Sequence, residues 1–135
     1  MSNLPGRWLT AAFSMAVMLT ASPTHAQLTS TVYVSGLSNP VAFVQDPSNA
    51  AVQYVVQQRG LIRVVQNGTI LPTAFLNLTS SLAQDSEQGL LGLAFPPNYG
   101  SSGRFYVCFT NTAGHIVVAR FNRSNSNPLV ANTAS

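Results

Sequence analysis

The feature that most constrains the fold is an internal repeat with an offset of slightly more than 50 residues. Each copy consists of several strand-like segments separated by turn residues. A period near 50 residues with three or four strands per unit is typical of β-propeller blades. The alternative is a β-sandwich whose hairpins are similar by coincidence. Corresponding positions in the two copies are Pro47 and Pro97, Tyr54 and Tyr106, and Gly60 and Gly114.

Short segments with the composition of β-strands dominate the chain, because Val, Ile, Tyr and Phe are concentrated in them. No amphipathic helix of convincing length interrupts them. Asn67-Gly68 predicts a two-residue hairpin turn, since a type I′ turn needs positive φ at both positions. The sequence therefore predicts an all-β protein. The predicted strands are Thr31–Ser35, Val41–Gln45, Val52–Gln57, Leu61–Gln66, Thr69–Phe75, Gly89–Phe95, Arg104–Thr110 and His115–Phe121.

The repeat also predicts an incomplete ring. Propellers close with four to eight blades, and residues 27–135 account for about two. The tail from Asn125 to Pro128 predicts a loop with no terminal strand. We therefore expect the amino-terminal part of a larger propeller. Its uncovered sheet faces would make it marginally stable on its own.

The segment Glu87–Pro97 carries apolar residues at positions of both parities, which predicts a strand buried on both faces. Gly89 and Gly92 predict that another backbone or a ligand comes close to this strand. Glu87 and Gln88 place polar groups directly before this strand, at the end where it begins.

Residues 1–26 have the features of a secretory signal peptide. Arg7 supplies a positive charge, Leu9–Leu19 is mostly apolar, and small residues precede Gln27. The apolar run is shorter than the roughly 20 residues that a membrane-spanning helix needs, although a retained anchor is the alternative. No later segment is long and apolar enough to span a membrane. The sequence therefore predicts a secreted or periplasmic protein.

Charge gives no indication of a nucleic-acid partner. All six basic residues are arginines, only three residues are acidic, and the arginines are scattered rather than clustered. Cys108 is the only cysteine, and its strand-like surroundings predict a buried, inert thiol.

Few side chains have a pattern that points to catalysis. His115 is predicted to face solvent at the head of a strand, because no carboxylate lies near it in sequence. Asp46 and Asp85 are predicted to have solvated turn roles, since no calcium-type cluster of oxygen ligands surrounds them. Arg59 is predicted to decorate a hairpin. We therefore assign no catalytic residue and no metal ligand within this chain.

Several segments, in the same order, resemble the glucose/sorbosone dehydrogenase family. This family comprises exported aldose dehydrogenases that depend on pyrroloquinoline quinone (PQQ), and relatives that include hedgehog-interacting-protein-like proteins. The Gly-Leu-Leu-Gly sequence is the most specific element. The matching segments are Gly36–Pro40, Gln57–Val64, Glu87–Phe95, Arg104–Thr110 and Val118–Phe121.

The resemblance implies a six-bladed propeller with PQQ over its central channel, calcium ions nearby and a sugar substrate. It implies that a histidine base and most ligands belong to later blades, so this chain alone would be inactive. Glu87 and Gln88 are the expected cofactor-binding residues. Glu87 stands where sugar dehydrogenases commonly have glutamine, and a carboxylate would repel an anionic quinone unless a cation compensates. Pro96-Pro97-Asn98 likewise replaces the common His-Pro-Asp.

Two main functions follow from this resemblance. The first is the amino-terminal part of an exported quinoprotein that oxidises a sugar hydroxyl to a lactone, with hydride transfer to PQQ in the full-length parent. The second is a non-catalytic extracellular binding propeller, which the changes at Glu87 and Pro96 favour. A third possibility is that the short chain is itself the natural product.

Overall fold

Two antiparallel sheets follow one another along the chain, as the repeat predicts. The computed structural model describes residues 28–134, so the predicted signal peptide lies outside the described residues. The first sheet contains β1–β5, and the second contains β6–β9, with a single helical turn, α1, between β6 and β7. The bounds are β1 Pro40–Gln45, β2 Val52–Gln57, β3 Leu61–Gln66, β4 Thr69–Ile70, β5 Leu76–Asn77, β6 Leu90–Ala94, α1 Tyr99–Ser102, β7 Arg104–Thr110, β8 Ile116–Arg123 and β9 Ala131–Asn132.

The repeat extends to the register of the strands. In each sheet the first strand has an irregularity directly after its first paired residue, where a β-bulge shifts the pairing. Strands β1 and β6 therefore start in the same way and occupy equivalent places in their sheets. The pairs on either side of the shift are Pro40–Gln57 and Ala42–Val56 in the first sheet, and Leu90–Phe109 and Gly92–Cys108 in the second.

The Asn67-Gly68 hairpin is confirmed. Asn67 has φ 50° and Gly68 has φ 76°, the left-handed values that a type I′ turn requires. The turn joins β3 to β4, with Gln66 paired to Thr69.

The hydrophobic core lies between the two sheets. Strand β2 is buried along its whole length, and an aromatic cluster connects the sheets. The Tyr54 and Phe95 ring centroids are 5.2 Å apart, and those of Phe75 and Phe105 are 4.7 Å apart. Such aromatic pairs contribute roughly 0.5–1.5 kcal/mol each beyond their buried area. Each sheet therefore depends on the other for the burial of its inner face.

One predicted strand is absent, and another is shorter than predicted. Residues 31–35 form no ladder with any described strand. Instead Tyr33 lies against the first sheet, and its hydroxyl donates to Gln53 Oε1 at 3.0 Å. The predicted strand Thr69–Phe75 ends at Ile70, because Pro72 lacks the N–H that a ladder needs. The chain then turns, and β5 pairs with the other end of β3.

The tail prediction is also wrong, because the tail does form a strand. Strand β9 pairs with the end of β8 through Asn122–Asn132 and Arg123–Ala131. The Ala131 N–H donates to the Phe75 carbonyl at 2.7 Å, which ties the tail to the first sheet. A two-residue strand in a polar segment has too little hydrophobic pattern to be recognised from sequence.

Strand β6 is not buried on both faces. Leu90 is fully buried, but Leu91, Gly92 and Leu93 are half-buried and Ala94 is exposed. The core covers one face of the second sheet, and the other face carries exposed apolar side chains. The predicted exposed apolar surface is therefore present on the second sheet and on β1 of the first, whereas Val55 and Val65 on the outer face of the first sheet are buried. The most exposed members are Val41 (46%) and Phe43 (56%) in the first sheet, and Ile116 (64%) and Val118 (69%) in the second.

Candidate functional site

A small polar cavity lies where the two sheets begin. It has a volume of about 120 Å³ and is bounded by the turn between β2 and β3 and by the segments that precede β1 and β6. We call this group of residues the polar mouth. Its lining residues are Asn39, Gln58, Arg59, Gln84, Ser86 and Gln88.

The close approach predicted at Gly89 is confirmed, and the neighbour is backbone. Gly89 has φ 130°, and a Cβ there would overlap the Gln58 carbonyl oxygen. The same oxygen accepts a hydrogen bond from the Leu90 N–H at 2.8 Å. The close approach predicted at Gly92 is absent. A Cβ added at Gly92 would contact only Cys108 Cβ, at an ordinary van der Waals distance of 3.8 Å. Gly89 therefore allows the second sheet to join the first at the polar mouth.

Amide side chains hold the loop that leads into β6. Gln58 Nε2 donates to the carbonyls of Ser86 at 2.9 Å and Gln88 at 3.1 Å. Gln84 Nε2 donates to the Thr79 carbonyl at 2.9 Å. Gln84 Nε2 also lies 3.4 Å from the Arg59 carbonyl, so the amide nitrogens of Gln58 and Gln84 each contact two backbone carbonyls. They fix the shape of the polar mouth and leave other groups to meet a ligand.

The structure separates the two predicted cofactor residues. Gln88 is half-buried and lines the cavity, whereas Glu87 is exposed and lies outside the lining. Within residues 28–134, no hydrogen bond involves the Gln88 side-chain amide or the Arg59 guanidinium. Gln88 and Arg59 are therefore lining groups with donors available to a ligand, and Glu87 directly precedes Gln88 in the chain.

Sequence reasoning misses most of the polar mouth. It predicts Arg59 only as hairpin decoration, and it does not single out Gln58, Ser86 or Asn39. One signal is present: Gln58 and Arg59 fall within the Gln57–Val64 segment that resembles the dehydrogenase family. Nothing in the pattern shows that this turn meets the segment before β6, because that contact joins residues 30 positions apart.

The donor chemistry of the polar mouth suits an anionic group, but its size does not enclose one. Amides and a guanidinium donate well to carboxylates, whereas sites that enclose a small-molecule ligand usually have volumes of roughly 300–1,000 Å³. The described residues thus form at most one wall of a site for a small-molecule ligand. No group of three or more His, Cys, Asp or Glu side chains among residues 28–134 is placed to hold a metal ion.

Asp46 has a turn role, as predicted, but it is buried rather than solvated, with 5% of its surface exposed. Its Oδ1 accepts from the backbone N–H and hydroxyl of Ser48, both at 2.7 Å, and from the Asn49 N–H at 3.0 Å. Its Oδ2 accepts from the Tyr54 hydroxyl at 3.0 Å. These bonds engage both carboxylate oxygens, so Asp46 fixes the β1–β2 turn.

Two tyrosines extend this network into the core. The Tyr54 and Tyr99 hydroxyls are 3.4 Å apart, and the Arg123 guanidinium lies 5.0 Å from the centre of the Tyr99 ring. Burial raises the pKa of Tyr54 above its ordinary value, and the Tyr99 hydrogen bond and the Asp46 charge raise it further. Burial also raises the pKa of Tyr99. Both phenols therefore stay protonated in the folded chain at pH values where exposed phenols ionise.

The raised pKa values predict alkaline instability. Above pH about 10 the unfolded chain releases its tyrosine protons while the folded chain retains those of Tyr54 and Tyr99. The unfolded state then binds fewer protons, so the free energy of unfolding should fall as pH rises above this value. Urea titrations between pH about 8 and about 11.5, which bracket the ordinary tyrosine pKa, measure this slope. Tyr54→Phe should make the free energy of unfolding less dependent on pH in this range. Tyr106→Phe, which changes a tyrosine outside the network, should leave the dependence as it is. Equal slopes in all three proteins would contradict the prediction.

The remaining candidates lie apart from the polar mouth cavity. His115 is exposed directly before β8, as predicted. Asp85 is exposed in the loop before β6, where its carbonyl accepts from the Gln88 N–H at 2.8 Å. Cys108 is half-buried rather than buried, because it faces the open side of the second sheet. No helix among the described residues is long and apolar enough to cross a membrane.

At the level of sequence, the chain is similar to part of a much longer protein. It is 30% identical over 82 residues to the human Hedgehog-interacting protein, across 57% of this chain and 12% of that protein. The mouse Hedgehog-interacting protein is 29% identical over the same length. No protein-family model matches the chain.

At the level of structure, the neighbours are sugar dehydrogenases. A putative oxidoreductase (glucose dehydrogenase) from Thermus thermophilus is 25% identical, with a TM-score of 0.61. The PQQ-bound aldose sugar dehydrogenase from Streptomyces coelicolor is 23% identical, also with a TM-score of 0.61. Each match covers 73% of this chain but only 28% of the solved chain. The chain is similar in fold to part of these dehydrogenases, and its two sheets are β-propeller blades.

Proposed function

We propose that the chain forms the first two blades of an exported, PQQ-dependent aldose dehydrogenase, with the polar mouth on the cofactor side. The observation that carries this proposal is the structural similarity to a PQQ-bound aldose sugar dehydrogenase over 73% of the chain. The segment around Gly89 also supports it, because the backbone contact of Gly89 with Gln58 shapes the polar mouth.

The available side chains suggest separate roles in binding. The Gln88 amide and the Arg59 guanidinium would donate to an anionic group of the cofactor. Gln58 would act indirectly, because its amide holds the Ser86 and Gln88 carbonyls. Bound PQQ would supply the hydride acceptor for sugar oxidation, and calcium would be held by another part of the full-length protein. The proton-accepting histidine would belong to another part of the full-length protein.

A non-catalytic binding propeller is the second candidate. The observation in its favour is the sequence similarity to the Hedgehog-interacting protein, which is named for a protein partner. The exposed Glu87 carboxylate also suits a surface contact better than it suits contact with an anionic quinone. In this function the polar mouth would bind a partner's polar groups and no redox chemistry would occur.

The first test is titration of the purified chain with PQQ in the presence of calcium, followed by fluorescence. We expect weak, saturable binding that Gln88→Ala reduces at least severalfold. Glu87→Gln should tighten binding about threefold to tenfold at low salt, because it removes a like charge next to the cofactor.

Asp85→Asn is the matched control, since it removes an exposed acid from the same loop. If it tightens binding as much as Glu87→Gln does, the effect is general charge and the assigned role of Glu87 is wrong. Absence of saturable binding would favour the binding propeller. Dye reduction with an aldose by this chain alone would contradict the placement of the base in another part of the protein.

A further inference from the structure

A second polar cavity lies at the end of the second sheet that is remote from the polar mouth. It has a volume of about 310 Å³ and is bounded by α1, by the end of β8 and by β9. Strand β7 has seven residues and runs from this cavity to Thr110, whose N–H donates to the Gly89 carbonyl at the polar mouth. The two cavities are therefore about 20 Å apart along β7. We call the second one the distal pocket, and its lining includes Ser101, Ser102, Gly103, Arg123, Ser124 and Asn125.

The lining of the distal pocket carries one positive charge and no acid. Its side chains are hydroxyls, amides and the Arg123 guanidinium. The sequence has only three acidic residues. Both carboxylate oxygens of Asp46 are engaged in the β1–β2 turn, and Asp85 and Glu87 belong to the loop before β6, at the polar mouth. An anion in the distal pocket would therefore meet a cation and no like charge.

The Arg123 guanidinium is held in place before any ligand binds. Its Nη2 donates to the Gly100 carbonyl at 2.7 Å, and its central carbon lies 5.0 Å from the centre of the Tyr99 ring. A Cβ at Gly103 would come within 2.9 Å of Arg123 Cγ, so this glycine leaves room for the arginine stem. No carboxylate among residues 28–134 contacts Arg123. A guanidinium has five N–H donors, so most of them remain for an oxyanion, the partner that arginine binds best.

The neighbouring hydroxyls and amide suit a ligand that also carries hydroxyl groups. Ser101 Oγ donates to the Asn98 carbonyl at 3.1 Å. A hydroxyl has a single donor, so its oxygen is left as an acceptor in the pocket lining. Asn125 is exposed, and its side-chain amide has no partner among residues 28–134, so it offers both donors and an acceptor. These groups can bind ligand hydroxyls, which a simple anion such as acetate lacks.

The volume of the distal pocket agrees with a ligand larger than a single ion. A water molecule takes up about 30 Å³ in the liquid, so the pocket has room for about ten. Its volume lies at the lower end of the range of roughly 300–1,000 Å³ that is usual for small-molecule sites. A monosaccharide is therefore a better match in size than an inorganic anion.

We propose that the distal pocket binds a small polyhydroxylated anion, namely a sugar that carries one carboxylate or phosphate group. Arg123 binds the anionic group, and Ser101 and Asn125 bind hydroxyl groups of the sugar. The two forms of the ligand share this chemistry and differ only in the group that meets the guanidinium.

The distal pocket is compatible with a larger propeller. It lies at the end of the second sheet, and the outer-face residues Tyr106, Cys108 and Val118 are not among its lining residues. A further blade packed on that outer face would therefore leave the pocket open. The proposal does not depend on the proposed function, because the polar mouth and the distal pocket have no lining residue in common.

The test is titration of the purified, isotope-labelled chain with four probes, followed by amide NMR. The probes are glucuronate, glucose 6-phosphate, acetate and glucose. At least one of the two charged sugars should bind saturably and at least about tenfold more tightly than acetate or glucose, since only these ligands combine a charge with hydroxyls. Amide shifts should change at Gly103 and Asn125 and stay constant at Gly89. The charged sugar that binds more tightly identifies the anionic group.

Three variants assign the binding to the proposed residues. Arg123→Gln should weaken binding of the charged sugar at least about tenfold, as expected for a lost hydrogen bond to a charged group. Ser101→Ala should weaken it about threefold, the effect of a neutral hydrogen bond, and should leave acetate unaffected. Arg120→Gln is the matched control, because it removes an exposed arginine from the same strand outside the pocket. It should leave the affinity unchanged.

Circular dichroism shows whether each variant is folded, and if Arg123→Gln is not, Ser101→Ala decides. The proposal is overturned if neither charged sugar binds, or if acetate binds as tightly as they do. It is also overturned if Arg120→Gln weakens binding as much as Arg123→Gln, since the attraction is then general charge, or if Ser101→Ala has no effect.

Discussion

Replacing Gly89 with alanine is expected to abolish stable folding of the chain. The new Cβ would overlap the Gln58 carbonyl oxygen, and φ at this position is 130°, which L side chains rarely adopt. The backbone cannot move aside easily, because the Thr110 N–H donates to the Gly89 carbonyl at 2.9 Å. Clash and strain together should cost about 4 kcal/mol or more, a large part of the stability of a small domain.

Urea unfolding followed by circular dichroism measures this loss. Gly92→Ala is the matched control within the same segment, because its Cβ would meet only Cys108 Cβ at 3.8 Å. It should change the free energy of unfolding by less than about 1 kcal/mol. If Gly89→Ala unfolds as cooperatively and at the same urea concentration as the original chain, the close approach of the two sheets is wrong.

Replacing Asp46 with alanine is expected to cost about 3 kcal/mol of stability, because a buried hydrogen-bond network is broken. The substitution removes the acceptor for two N–H groups and two hydroxyls. The Tyr54 hydroxyl is fully buried, so it cannot replace the carboxylate with bulk water, and the Tyr99 hydroxyl at 3.4 Å is too distant to be a good substitute. An unsatisfied buried donor costs roughly 1–3 kcal/mol, and the turn loses its own hydrogen bonds in addition.

The control for Asp46 is Asp85→Ala, which removes an exposed carboxylate and should alter stability by less than about 0.5 kcal/mol. Tyr54→Phe, combined with Asp46→Ala, tests the mechanism. Because it removes the unpaired hydroxyl, the double variant should be more stable than additivity of the single changes predicts. Strict additivity would mean that the two groups do not interact.

The sequence predicts best where strands are long and part of the repeat. Strands β2, β3 and β7 have the predicted bounds, because runs of β-branched and aromatic residues at these places also belong to the core. The Asn67-Gly68 turn is predictable because its backbone requirement is local. The repeat supplies the topology, since two copies of one pattern imply two sheets of the same kind.

Features that depend on distant contacts cannot be read from the sequence. Residues 31–35 have strand-like composition, yet a strand needs an available neighbouring edge, and composition does not reveal one. Asp46 has the sequence pattern of a solvated turn, and its burial depends on Tyr54 in the next strand. The polar mouth is predictable only in part, because Gln58 reaches it through contacts with the segment before β6.

The aromatic core between the sheets has a consequence for how the chain matures during synthesis. Contacts within each sheet are mostly local, whereas the Tyr54–Tyr99 contact joins residues 45 positions apart. At roughly 5–20 residues per second, the ribosome needs several seconds to deliver the second sheet after the first. The inner face of the first sheet, with Tyr54 and Phe75, stays uncovered during this interval. The nascent first sheet is thus the stage at which this chain most needs a chaperone.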